Sequence, residues 1–180
     1  MMPTNVAARM TLAADPDSLQ GAVAAGILGA GPVVLGTSEE CARLLRDAVA
    51  SGREADEVVR DIRAAGGKVP GFGHPVHRPV DPRAARILEL ADARGVSGPN
   101  VAYARALGDA VAREWERPLT MNVAMPIAAV MLDLGFPAAA VKAVPILART
   151  AGLLAHLAEE RERPLGFLLG RAAEEAVEYE

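Results

Sequence analysis

The sequence predicts an all-α protein, on three observations. Apolar residues recur at helical spacing in most segments. Gly and Pro separate these segments, and Asp or Ser opens several of them at capping positions. No stretch shows the period-two alternation that a half-buried strand requires. Composition agrees: 51% of the 180 residues are apolar but only 3% are aromatic. A core of Ala, Leu and Val lets helices approach closely.

The elements follow in order. Residues 5–14 read as a short helix that stops before Asp15-Pro16-Asp17. Asp17 or Ser18 caps a helix to Leu28, and Gly29-Ala30-Gly31-Pro32 ends it. Residues 39–50 carry Cys41, Leu44, Leu45 and Ala48 on one face. Residues 54–64 form a polar helix with Val58, Val59 and Ile62 on one side, ended by Gly66-Gly67. Asp81-Pro82 reads as an N-cap followed by Pro at the first helical position. The helix it opens runs over 83–93, with Ala84, Ile87, Leu88 and Ala91 inward. Pro99 begins a helix to Trp115. Residues 119–134 read as a further apolar helical segment, closed by Gly135-Phe136-Pro137. Residues 138–160 are the most hydrophobic helical region, with Pro145 marking its start or a kink. An amphipathic, acidic-ended helix over 165–178 completes about eight helices.

Length allows one domain, residues 1–180, with a real core. A net charge of −4 with mixed signs argues against a nucleic-acid partner. The apolar run 22–36 contains Pro32 and is short for the roughly 30 Å of hydrocarbon in a bilayer. The run 122–141 is broken by Pro126, Asp133 and Pro137. The opening lacks a basic region followed by an apolar one. The expectation is a soluble, cytoplasmic protein with no membrane partner. A single cysteine, Cys41, excludes an internal disulfide framework and reads as a small buried hydrophobe. No His/Cys cluster suggests a metal. Residues 22–28 and 127–134 are apolar on more than one face, which predicts an oligomer.

The segment Val69-Pro-Gly-Phe-Gly-His74-Pro-Val-His77-Arg78-Pro-Val-Asp81-Pro-Arg83-Ala84 carries the functional signal. Gly and Pro break both helix and strand, so a shaped loop is expected, and residues 66–84 read as a ligand-binding loop. Gly71 and Gly73 allow close backbone approach. His74 exchanges a proton near neutral pH. Arg78 and Arg83 offer planar forks that fit carboxylates and phosphates.

This loop resembles the Gly-Phe-Gly-His-x-Val-Tyr-Arg/Lys-x-x-Asp-Pro-Arg-Ala signature of the citrate synthase and citryl-CoA lyase family. The resemblance continues in Asn5-Val-Ala-Ala-Arg9, in Asp15-Pro-Asp-Ser-Leu-Gln-Gly and in Gly31-Pro32. It extends to Pro118-Leu-Thr-Met-Asn122-Val123, Leu134-Gly135-Phe136-Pro137, Ala148-Arg149-Thr-Ala-Gly152-Leu-Leu-Ala-His156 and Glu162-Arg163-Pro164. It implies a citrate synthase-like helical fold that lacks the family's N-terminal half.

The family joins acetyl-CoA to oxaloacetate, or cleaves citryl-CoA. A carboxylate removes the proton beside the thioester, one His supports the enolate, and a second His polarises the ketone. The resemblance places His74 at the second His, as the catalytic acid or base. It places Val34 at the first His and Ala124 at the carboxylate, and neither side chain transfers a proton. Arg83, Arg149 and Arg163 match the arginines for substrate carboxylates, Arg163 reaching a neighbouring subunit. Arg78 matches a contact to the CoA phosphate, and Val69, Gly71 and Gly73 lie in the matched adenine-binding loop. The implied partners are a CoA thioester and a di- or tricarboxylate, with a homodimer sharing its sites. No cofactor is implied beyond the thioester as substrate. The implied function is citryl-CoA lyase-like, and the alternative is a non-catalytic paralogue or regulatory subunit that binds CoA or carboxylate. Smaller readings give His77 as a polar neighbour of the site, Asp81 as the helix cap and Asn122 as an orienting group. His156 reads as a hydrogen-bonded histidine, Trp115 as packing, and Asp109 and Asp133 as carboxylates able to stand in for the lost base.

Overall fold

The structure is a computed structural model that describes residues 2–178. Among them are nine α-helices and no strand; Phe72 and Met121 form one isolated antiparallel bridge. The all-α expectation therefore holds. Contacts divide the chain into two compact units: residues 1–35 with 145–180, and residues 36–144.

The first unit is built on α1 (Pro3–Ala14), α2 (Leu19–Leu28), α8 (Ala143–Glu162) and α9 (Gly166–Ala176). Ala8, Leu12, Ala22, Leu153 and Leu157 form its core. Gly26 is required there: a Cβ would lie 2.7 Å from Leu153 Cδ1 and 3.0 Å from the Thr4 carbonyl oxygen. A π-helical turn, Pro32–Gly36, follows α2. The run Ala138–Glu162 is long and apolar enough to cross a membrane by length and composition alone.

The second unit holds α3 (Thr37–Ser51), α4 (Ala55–Ala64), α5 (Pro82–Ala93), α6 (Pro99–Glu114) and α7 (Ala124–Asp133). Its core joins Cys41 and Leu45 of α3, Val59 of α4, Leu107 and Val111 of α6, and Met125 of α7. Cys41 is the buried hydrophobe expected, and burial pushes its thiol up to about 12. Trp115 packs on this core, with the Arg63 guanidinium 5.3 Å from its ring.

Two helix starts depart most from the sequence reading. The helix expected from residue 119 begins at Ala124, because residues 120–122 direct their backbone groups to the Gly71–Gly73 loop instead (below). The region expected to be one helix from residue 138 is a 3₁₀ turn, Ala138–Ala140, followed by α8. Pro145 lies in the first turn of α8, where its missing N–H leaves no gap in the hydrogen-bond ladder, so it starts the helix and does not bend it.

Candidate functional site

The loop between α4 and α5 is fastened to the chain entering α7. Gly73 N donates to the Thr120 carbonyl (2.7 Å), Asn122 N donates to the Gly71 carbonyl (2.8 Å), and Asn122 Nδ2 donates to the Gly73 carbonyl (3.0 Å). Thr120 Oγ1 donates to the Pro79 carbonyl (2.9 Å). Gly71 has φ +82°, and a Cβ there would lie 2.8 Å from both Cys41 Sγ and Met125 Cβ. Gly73 has φ +90° with open space around it, so backbone conformation alone favours glycine there. Val69 is a buried core residue, so only its backbone is left for a ligand.

Asp81 caps α5 as expected and does more. Its fully buried carboxylate accepts from Arg83 N (3.1 Å), Arg83 Nε (2.9 Å), Arg83 Nη2 (2.8 Å) and Val123 N (3.0 Å). Burial pushes its pKa up, but the Arg83 side chain, the Arg83 amide and charge, and the Val123 amide outweigh it and hold the acid at about 2. Asp81 thereby aims Arg83.

His74 is fixed from behind as well. Its Nδ1 accepts from the amides of Val76 (3.0 Å) and His77 (2.9 Å). A ring nitrogen that accepts two N–H groups carries no proton, so the neutral ring bears its proton on Nε2. Burial, then the His77 ring and the Arg83 charge, lower its pKa against a weaker pull from Asp81, which favours that neutral form. The rings of His74 and His77 lie 4.5 Å apart. Arg83 Nη2 is 3.2 Å from His74 Nε2. Both atoms are donors, so they do not satisfy each other; an oxygen acceptor in front of them would satisfy both.

A cavity of about 400 Å³ opens beside this pair, lined by Gly73, His74, Arg78, Pro79, Arg117, Pro118, Leu119 and Thr120. Arg78 is exposed, with Nε 3.4 Å from the His74 carbonyl oxygen. A second concavity, about 430 Å³, lies between α3, the turn that follows it and α6. Its lining is largely apolar, and its one hydroxyl, Tyr103, donates to the Arg53 carbonyl (2.9 Å). Arg53 in that lining is paired with Glu57 and Asp61, whereas the first cavity gathers His74, Arg78 and Arg117.

The second unit thus brings together His74, Arg78, Arg83, Gly71 and Gly73. Arg149 and Arg163 belong to the first unit. Arg149 is half-buried on α8 and donates from Nη1 to Asn5 Oδ1 (3.0 Å). Arg163 is exposed just beyond α8, its amide donating to the Glu159 carbonyl (2.7 Å). Val34 lies in the π-helical turn and Ala124 is the first residue of α7. Asp133 is no stand-in base: it accepts from the amides of Gly98, Asn100 and Val101 at 2.7–3.0 Å and caps α6. Among the described residues no group of three or more His, Cys, Asp or Glu side chains is placed to hold a metal.

Comparison with known proteins identifies the lineage. The family described as "Citrate synthase, C-terminal domain" matches residues 4–171. The chain belongs to the citrate synthase family. It is 36% identical over 146 residues to "Putative citrate synthase 2" of Mycobacterium bovis, covering 78% of this chain and 39% of that protein. It is 32% identical to citrate synthase 1 of Mycobacterium tuberculosis, covering 72% of this chain and 32% of the relative. The structure of citryl-CoA lyase from Hydrogenobacter thermophilus superposes with a TM-score of 0.83 at 30% identity, covering 88% of this chain and 61% of that one. The chain thus spans about two fifths or less of the length of these sequence relatives.

Sequence reasoning singles out His74, Arg78 and Arg83, which the second unit brings together, but misses three features. Asp81 is legible as a cap, not as the clamp on Arg83. Asn122 fastens the loop and spends both ends of its amide locally, on the Gly73 carbonyl and the Ala124 amide. Arg117 lines the cavity, yet in sequence it looks like any surface arginine. Its place beside Pro118-Leu119-Thr120, just before Asn122, is the only available signal.

Proposed function

We propose that this chain handles a CoA thioester and a di- or tricarboxylate of the oxaloacetate or citrate class, in the manner of a citryl-CoA lyase. The observation that carries the reading is the pair of fixed donors, His74 Nε2 and Arg83 Nη2, 3.2 Å apart beside a basic cavity. Their positions suit a substrate oxygen flanked by a carboxylate. Preorganised donors of this kind lower the energy of charge that builds on that oxygen.

In cleavage, the citryl hydroxyl loses its proton and the carbon–carbon bond breaks. The electron pair passes to the thioester enolate, which takes a proton from solvent. His74 serves this best as a hydrogen-bond donor to the oxygen that becomes the ketone. Proton removal by the same ring is a poorer fit, because Nε2 has no lone pair while Nδ1 accepts from two amides; solvent water is the acceptor. Arg83 and Arg149 bind carboxylates, Arg163 serves a second copy in a homodimer, and Arg78 with the backbone of residues 69–73 holds CoA. The thioester is substrate, and no further cofactor is required. We place the protein in the cytoplasm, where CoA thioesters are found.

A second reading, a CoA- or carboxylate-binding protein without turnover, is favoured by the apolar side chains of Val34 and Ala124. One experiment separates the two. Purified chain is mixed with citryl-CoA and oxaloacetate release is followed, with calorimetry for CoA and citrate. Release that falls at least about 100-fold in His74→Ala supports the lyase. Binding without release supports the second reading. Absence of both overturns the assignment.

A further inference from the structure

We propose that Asn5 and His156 are positioning residues that aim the Arg149 guanidinium at a substrate carboxylate; the inference rests on the reading of Arg149 given above. An arginine side chain is long and flexible, and it binds a carboxylate well only when its fork is held in place. In the first unit that support is visible. Arg149 Nη1 donates to Asn5 Oδ1 (3.0 Å), and Asn5 is buried on α1. The other end of the same amide, Nδ2, lies 2.9 Å from His156 Nε2.

Arginine only donates, so the amide oxygen of Asn5 must face it, and Nδ2 must face His156. The ring then meets two donors, Asn5 Nδ2 at Nε2 and Arg9 Nη2 at Nδ1, and a neutral ring accepts from only one of them. Arg9 Nη2 already bonds Glu159, so Nε2 accepts from Asn5 and Nδ1 carries the proton. The charged groups that face this ring are Arg9 of α1, with Nη2 3.2 Å from Nδ1, and Glu159 of α8, with Oε2 3.8 Å from Nδ1. Arg9 is itself tied to Glu159 and Glu160. Arg149 is thus braced through Asn5 by a ring that must keep one lone pair.

A side chain without an acceptor at residue 156 deprives Asn5 of that partner. Asn5 then loses its bond, or turns its amide and sets an NH₂ against the guanidinium. Either outcome loosens Arg149 without changing its charge. A glutamine at residue 156 presents a carboxamide oxygen to Asn5 and restores the brace.

The test is calorimetric titration of the full chain with oxaloacetate. Thermal melts accompany each variant. Asn5→Ala is expected to weaken binding about 10-fold or more. His156→Phe, which has no acceptor, is expected to weaken it in the same direction, and His156→Gln is expected to restore the wild-type affinity. If Asn5→Ala does not fold, the two His156 variants decide alone. Should Arg149→Ala abolish binding while Asn5→Ala retains wild-type affinity, or while His156→Phe and His156→Gln bind equally, the positioning role is wrong and the reading of Arg149 stands. Binding that survives Arg149→Ala, or is absent from the wild type, overturns the reading of Arg149 and this inference with it.

Discussion

Asp81 shows what one buried carboxylate does for the site. It aims Arg83, caps α5 and ties the loop to Val123 through four accepted hydrogen bonds. Its folded pKa, about 2, lies below the usual carboxylate value. The contribution to stability is therefore present above that usual value and is lost as pH falls through about 2. Because Arg83 is half-exposed, solvent screening reduces this contribution to on the order of 1–2 kcal/mol. Asp81→Asn keeps the size but sets an NH₂ against Arg83, and it should cost about 1–3 kcal/mol at neutral pH. Urea denaturation followed from pH 7 toward strong acid checks the sign: the gap between variant and wild type should shrink on acidification. A gap independent of pH would show that the charge on Asp81 is not what stabilises the loop. His74 and Arg83 were legible in the sequence from residue type and loop composition. The donor state of His74 was not, because it depends on where the amides of residues 76 and 77 point.

Among the elements, α5 was legible almost to the residue, since Asp81-Pro82 is a local start signal. The segment entering α7 was not, because its apolar side chains suit a helix while its backbone bonds go to a loop about fifty residues earlier in the chain. The start of α9 depends on another remote group. Leu165, at its N-cap, provides no capping side chain, and Glu160 of α8 accepts instead from the amides of Leu165 (2.7 Å) and Gly166 (2.6 Å). The same carboxylate pairs at 2.7 Å with the fully buried Arg9 of α1. Burial acts to raise the Glu160 pKa, but Arg9 and the two amides outweigh it and keep the group ionised. Replacing one member of a buried pair strands the other. Glu160→Gln should therefore destabilise the protein by about 3 kcal/mol. It should also speed hydrogen exchange at the first amides of α9, while Glu159→Gln, on an exposed carboxylate of the same cluster, has a much smaller effect. Equal losses from the two substitutions would contradict the argument.

At the scale of the molecule, the proposed function rests on arginines at positions that the family resemblance assigns to ligands, while Val34 and Ala124 stand at two positions that it assigns to acid–base groups. The fold and lineage were legible because motifs recur in order along the chain. The proposal about chemistry draws on residue types that depart from the family pattern, as at Val34 and Ala124. Ala124 is the first residue of α7, where the helix dipole favours an ionised carboxylate. A carboxylate placed there should recover one part of the family's chemistry, removal of a proton from the carbon beside the thioester. The measurable event is exchange of the acetyl-CoA methyl hydrogens with deuterated water, followed by NMR in the presence of oxaloacetate. Ala124→Asp should raise the exchange rate at least about 100-fold over the unsubstituted chain, the lower end of what a positioned base supplies. Ala124→Asn is the control: it has the same shape and polarity but no base, so it should not accelerate exchange. If Ala124→Asp binds acetyl-CoA and exchanges no faster than Ala124→Asn, the first residue of α7 does not face the thioester, and the cavity beside His74 holds something other than an enolisable acyl group.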